Sequence, residues 1–109
     1  MDFPRSVDIF CRVVDNFGDI GVCWRLAHQF AQEYSLIVRL YVDDLDSLER
    51  IVPDFAKQCH SSLEVVRWGN DLDYPNAADV VIEAFACDLP PNVIEAMVGR
   101  GGETVWIDL

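Results

Sequence analysis

Two rhythms of apolar residues alternate along the chain. Val7 to Val14 is almost continuously apolar, interrupted only by Asp8 and Arg12, which predicts a strand buried on both faces. Ile20, Cys23, Trp24, Ala27, Phe30, Ala31 and Tyr34 then recur at spacings of three and four. That stripe predicts a helix over Ile20 to Tyr34, with Arg25, Gln29, Gln32 and Glu33 turned to water. Leu36 to Val42 reads as a second strand, ended by Asp43-Asp44. Leu45, Leu48, Ile51, Val52 and Phe55 predict a second helix, bent or broken by Pro53. Leu63 to Trp68 alternates more, as a strand nearer a sheet edge does, and Gly69 to Ala77 reads as a polar turn region. Asp79 to Phe85 is a fourth strand. Pro90-Pro91 opens a helix over Asn92 to Val98, and Thr104 to Ile107 is a fifth strand.

The resulting order, β-α-β-α-β-β-α-β, predicts an α/β domain with an open, mostly parallel sheet of the Rossmann type. There is no internal repeat, linker or low-complexity segment. The sequence stops at Leu109, straight after a strand. This leads us to expect an incomplete amino-terminal domain over residues 1–109, with the rest of the protein downstream; the alternative is a small complete five-stranded domain.

Composition narrows the partners. The 109 residues carry 8 basic and 19 acidic side chains, a net charge of −11. Such a charge argues against unaided binding to nucleic acid or an anionic membrane. It permits a cationic substrate, although a solvated acidic surface is the commoner reason for it. Cys11, Cys23, Cys59 and Cys87 are widely separated, with no C-x-x-C and no histidine pair at metal-ligand spacing. Cys11, Cys23 and Cys87 read as small core residues. No apolar leader follows Met1 and no run reaches membrane-spanning length, so a reducing cytoplasm is the expected compartment.

The chemistry concentrates between the first strand and the first helix, at Asp15-Asn16-Phe17-Gly18-Asp19-Ile20-Gly21. By spacing this is G-x-G-x-x-G with Asn16 at the first glycine, and Asp43 closes the second strand where a ribose-binding acid would stand. A dinucleotide site is therefore one hypothesis. The charges oppose it. A like-charge contact at about 5 Å costs on the order of 3 kcal/mol at an effective dielectric of 20. A helix N-terminus returns only about 1 kcal/mol to an anion. Asp15 and Asp19 would therefore exclude a phosphate and favour a cation such as a guanidinium or ammonium group. The plainer reading makes Asp19 a helix N-cap directly before Ile20 and Asp15 a turn residue.

The run from Asp8 to Ala27, with Arg12-Val13-Val14-Asp15-Asn16-Phe17-Gly18-Asp19-Ile20-Gly21 at its centre, closely resembles the start of the bacterial protein-arginine rhamnosyltransferases that modify elongation factor P. Val38 to Leu45 and Ala78 to Pro90 resemble the same family in the same order. Asp108 stands where that family usually carries asparagine. The resemblance implies the amino-terminal, acceptor-side part of a GT-B glycosyltransferase, with the carboxyl-terminal nucleotide-sugar domain and a catalytic glutamate beyond Leu109. It implies transfer of L-rhamnose from dTDP-β-L-rhamnose to an arginine of elongation factor P, with inversion and without a metal or other cofactor. Alone, this chain is then expected to be inactive. Within that family Asp19 matches the proposed general base and Asp15 a second essential aspartate that could hold the acceptor arginine. Asn16, Phe17 and Gly18 would bring backbone groups close to the rhamnose. A binding module that docks a basic protein without catalysis is a further alternative.

The chemistry fits the residues. Arginine and aspartate differ by roughly nine pKa units, about 12 kcal/mol, so an aspartate cannot deprotonate a guanidinium in advance. It can accept the proton as the N–C bond forms and the nitrogen becomes acidic, while a second carboxylate grips the guanidinium by fork-like hydrogen bonds.

Other polar and aromatic residues read as structural. Glu83 is expected to bond a neighbouring loop's amides, and Asp43 and Asp44 to cap the next helix or meet the acceptor's basic surface. Trp24, Trp68 and Trp106 are expected in the core, His28 partly buried without a catalytic role, and His60 without signal.

Overall fold

The computed structural model describes residues 3–13 and 18–109. They form a five-stranded sheet in which every pairing is parallel: β1 (Ser6–Cys11), β2 (Ile37–Val42), β3 (Leu63–Arg67), β4 (Val80–Glu83) and β5 (Val105–Asp108), in the spatial order β3-β2-β1-β4-β5. The helices are α1 (Gly18–Glu33), α2 (Leu45–Ile51) and α3 (Pro91–Val98). This is the Rossmann-like order, and its strand sequence reverses direction between β1 and β4.

β1 is central because its side chains are apolar on both faces. Val7, Ile9 and Cys11 pack under α1 and α2, with Ile20, Cys23, Ala27 and Leu48. Phe10 points the other way, into a second core with Tyr41, Trp68, Tyr74, Val93 and Met97. The helix expected over Ile20 to Tyr34 starts two residues earlier and ends at Glu33. Ser35 then takes a left-handed backbone at φ 54°, so the stripe's last member, Tyr34, is exposed. Pro53 ends the second helix as expected. α2 stops at Ile51, and a single 3-10 turn follows over Phe55–Gln58.

The link from β3 to β4 crosses over β2 and β1 without a helix. Sequence patterning places a polar turn region there, yet Leu72, Tyr74 and Ala77 pack into the second core. Tyr74 is only 4 % exposed. Its ring meets Phe10 and Tyr41 edge-on at 5.6 and 5.8 Å, and those two rings stack on each other at 4.4 Å. This aromatic layer takes the place of a crossover helix. Beneath it Asp8, fully buried in β1, receives both Nε and Nη2 of Arg39 at 2.7 Å and the Tyr74 hydroxyl.

Burial pushes the Tyr41 phenol up to about 12, with the Asp8 charge adding to it. Burial also pushes the Cys87 thiol up to about 12, helped by the Glu83 charge. The folded chain holds both protons more tightly than the unfolded one. Their contribution is therefore complete below the ordinary thiol and phenol values of 9.0 and 10.0 and is lost as pH rises toward about 12. Thermal melts across that alkaline range are expected to show falling stability, with Tyr41→Phe removing part of the slope.

β5 departs from expectation. It pairs with β4, but all four of its residues are exposed, and Trp106, expected in the core, is 48 % exposed. Its indole N–H donates to Glu83 Oε1 at 3.2 Å instead of being buried. Trp24 and Trp68 are buried as expected.

Candidate active site at the carboxyl edge of the sheet

Open α/β sheets bind ligands beyond the carboxyl ends of their strands, where the strand order reverses. Here that point lies between the segment after β1 and the loop after β4. Asp19 is brought to it in the first turn of α1, half-buried, with Gly18 opening the helix. Because the helix begins at Gly18, Asp19 lies inside the first turn rather than at the cap position before Ile20. A carboxylate there suits the positive end of the helix dipole. Asp15, Asn16 and Phe17 lie outside the described residues.

The exit of β1 is tied to three other loops. The Trp68 indole N–H, after β3, donates to the Cys11 carbonyl at 3.0 Å. Asp43 Oδ1, after β2, accepts the Val13 N–H at 2.7 Å. The Arg12 Nε–H donates to the Cys87 carbonyl, after β4, at 3.0 Å, while its guanidinium carbon lies 5.0 Å from the Trp68 ring centroid. Arg12 is thereby turned toward the β4 loop and the indole.

The β4 loop holds a strained backbone. Phe85, Ala86 and Asp88 have φ of 54°, 53° and 58°, a left-handed region that a phenylalanine or alanine seldom occupies. Glu83 braces it, accepting the Asp88 N–H at 3.2 Å, which is the structural role expected of it. Of the two adjacent acids after β2, only Asp44 caps α2, accepting the Ser47 N–H at 3.2 Å and its hydroxyl at 2.8 Å. Asp43 does not share in the cap; its Oδ1 bonds the backbone of Val13.

Cys11, Cys23 and Cys87 are buried free thiols, as expected. The Cys11 thiol is held far above its ordinary value, first by its hydrogen bond with Cys23, then by burial, and further by the charges of Cys23, Asp43 and Asp19. Among the described residues no group of three or more His, Cys, Asp or Glu could hold a metal ion. Nor is any described helix long and apolar enough to cross a membrane. His28 is half-buried and tilted against Trp24, and His60 is exposed with Nδ1 accepting the Ser62 N–H.

Two observations weigh against the dinucleotide reading. One carboxylate oxygen of Asp43, the residue placed to meet a ribose, is occupied by the Val13 amide. The third glycine of that fingerprint exists for close packing of helix on strand, yet among the described residues a Cβ on Gly21 would meet only Ile51 Cγ2, at 4.0 Å. Gly21→Ala is therefore expected to raise stability by about 0.5–1 kcal/mol, the usual cost of a mid-helix glycine, measurable by urea unfolding. A cavity of about 730 Å³ lies at the opposite, amino-terminal edge of the sheet. Arg100 lines it, already bonded to Asp79, Thr104 and the Ala78 carbonyl.

A parallel sheet in the order 3-2-1-4-5, with Gly18 and Asp19 opening the first helix, defines a Rossmann-like domain, a class that binds its ligands at the carboxyl edge of the sheet. Within that class, residues 7–109 match the family model described as Elongation-Factor P (EF-P) rhamnosyltransferase EarP, and the chain belongs to this family. It is 49 % identical over 108 residues to a protein-arginine rhamnosyltransferase of Pseudomonas aeruginosa, covering 95 % of this chain and 29 % of that protein. A Pseudomonas putida protein of the same name is 46 % identical over 106 residues, covering 94 % of this chain and 28 % of the relative. One from Neisseria meningitidis serogroup B is 43 % identical over 105 residues, covering 92 % and 27 % respectively. The chain therefore spans less than a third of the length of these relatives.

Proposed function

We propose that this chain is the amino-terminal, acceptor-side part of a GT-B enzyme that transfers L-rhamnose from dTDP-β-L-rhamnose to an arginine of elongation factor P in the cytoplasm. The observation that carries the reading is the placement of Asp19. It stands in the first turn of α1 at the strand-order reversal, in a chain belonging to the EarP family. In the proposed step an arginine nitrogen attacks the anomeric carbon of the rhamnose from the face opposite the nucleotide. The N–C bond forms as the C–O bond to dTDP breaks, so the configuration inverts. The nitrogen's proton passes to the Asp19 carboxylate. Asp15 grips the rest of the guanidinium, and the backbone of Asn16, Phe17 and Gly18 lies against the sugar. The nucleotide-sugar pocket belongs to the further length that the relatives possess.

The test is a chimera in which this chain replaces the corresponding segment of the Pseudomonas aeruginosa relative. Rhamnosylation of elongation factor P by the chimera supports the reading. Rhamnosylation that persists with both Asp15→Asn and Asp19→Asn in place would refute the site. Transfer is expected to survive a strong chelator unchanged, as the family resemblance implies; loss of activity restored by a divalent cation would point to a metal at the departing diphosphate.

A further inference from the structure

We propose that Asp43 is a positioning residue for the approach to α1: its carboxylate holds the backbone at Val13, the last described residue before the helix that carries Asp19. What Asp19 then does rests on the functional reading above; the hold on Val13 does not.

In the register of the sheet, Cys11 pairs with Val42 at the ends of β1 and β2. Beyond that pair the two chains diverge. Instead of a backbone carbonyl, the Val13 amide meets the Asp43 carboxylate at 2.7 Å, between residues 30 apart in sequence. A carboxylate accepting a backbone N–H forms a short, charge-assisted bond, stronger than a neutral one. Cys11 and Arg12 are anchored by Trp68 and Cys87, so Asp43 supplies the last described anchor before the turn. A misplacement of about 1 Å can cost a reaction on the order of a hundredfold, so an anchor two residues before Asp15 bears directly on the rate.

Asp43→Asn keeps an oxygen able to accept the Val13 N–H; Asp43→Ala removes it. In the 109-residue chain, amide hydrogen exchange is expected to accelerate roughly 10- to 100-fold at Val13 in the alanine variant, since a bond to a charged group is lost. Leu40 and Val81, in the sheet, should remain protected, and the asparagine variant should stay near the parent. Unchanged exchange at Val13 in the alanine variant, or equal acceleration in both variants, would overturn the proposal. In the chimera, Asp43→Ala is expected to lower kcat on the order of 10- to 100-fold with little change in KM, and asparagine to restore most of it. Accelerated exchange with kcat unmoved would reduce Asp43 to a purely structural part and also overturn the proposal. A chimera that keeps full transfer with Asp19→Asn would defeat the functional reading alone, leaving the exchange data to decide on Asp43.

Discussion

Asp19→Asn in the chimera is expected to lower kcat for arginine rhamnosylation by roughly a hundred- to ten-thousand-fold, the usual worth of a positioned general base. The substitution preserves shape while removing the negative charge and with it the ability to take a proton. Through the helix dipole the lost charge costs the fold about 0.3–1 kcal/mol. Activity and stability should therefore separate. A large fall in kcat with a nearly unchanged urea midpoint marks a group acting on the reaction, and equal losses in both would mark a folding defect. KM for the acceptor should change less than kcat if Asp19 acts mainly as the proton acceptor. If Asp19 instead grips the guanidinium and Asp15 takes the proton, KM rises more. The two aspartates' roles can thus be assigned by comparing Asp15→Asn with Asp19→Asn.

The largest expected loss of stability comes from Asp8, far from any proposed chemistry. Asp8→Ala would leave the Arg39 guanidinium without its two 2.7 Å bonds and Tyr74 without its hydroxyl partner, beneath the aromatic layer. Removing one member of a buried ion pair typically costs about 3–5 kcal/mol, because the other charge is left uncompensated. In a domain whose total stability is on the order of 5–15 kcal/mol, that is a large fraction of the whole. The carboxylate holds the Arg39 guanidinium above its ordinary range, and Arg39 remains about a third exposed on its side chain, 35 %. Solvent at Arg39 softens the loss toward the lower end of the range. Asp8→Ala combined with Arg39→Met should recover part of it, since removing both charges abolishes the unpaired one. Chemical denaturation of the single and double variants measures this directly. Additive losses would show that the pair does not act as a unit.

The two residues show opposite sides of what a linear pattern can reveal. Asp19 stands out because a carboxylate in a turn that spacing assigns to an anion is a local contradiction, visible without any fold. Asp8 looks like an interruption in an apolar strand. Its partners, Arg39 and Tyr74, lie 31 and 66 positions away, and no local rule links them. Asp43 is intermediate. Its position at the end of β2 is legible, but the identity of the donor it serves is not, because Val13 reaches it only once the parallel register is set.

Elements with a strong period were determined by the sequence alone. Alternation, helical stripes, Pro53 and Pro91 locate the five strands and three helices to within a few residues, since those signals arise from neighbours along the chain. The Rossmann-like class follows from their order, and the acidic sequence before α1 marks the chemical character of the candidate site. Three-dimensional packing decided the rest. It buried Tyr74 in a segment that reads as polar, because rings from three separate parts of the chain complete each other's surface. It left Trp106 half in water on an edge strand, since hydrophobicity does not say which side of a sheet is covered. And it turned Asp43 from a cap into an anchor of the exit of β1, because the last hydrogen-bond donor there has no strand left to pair with.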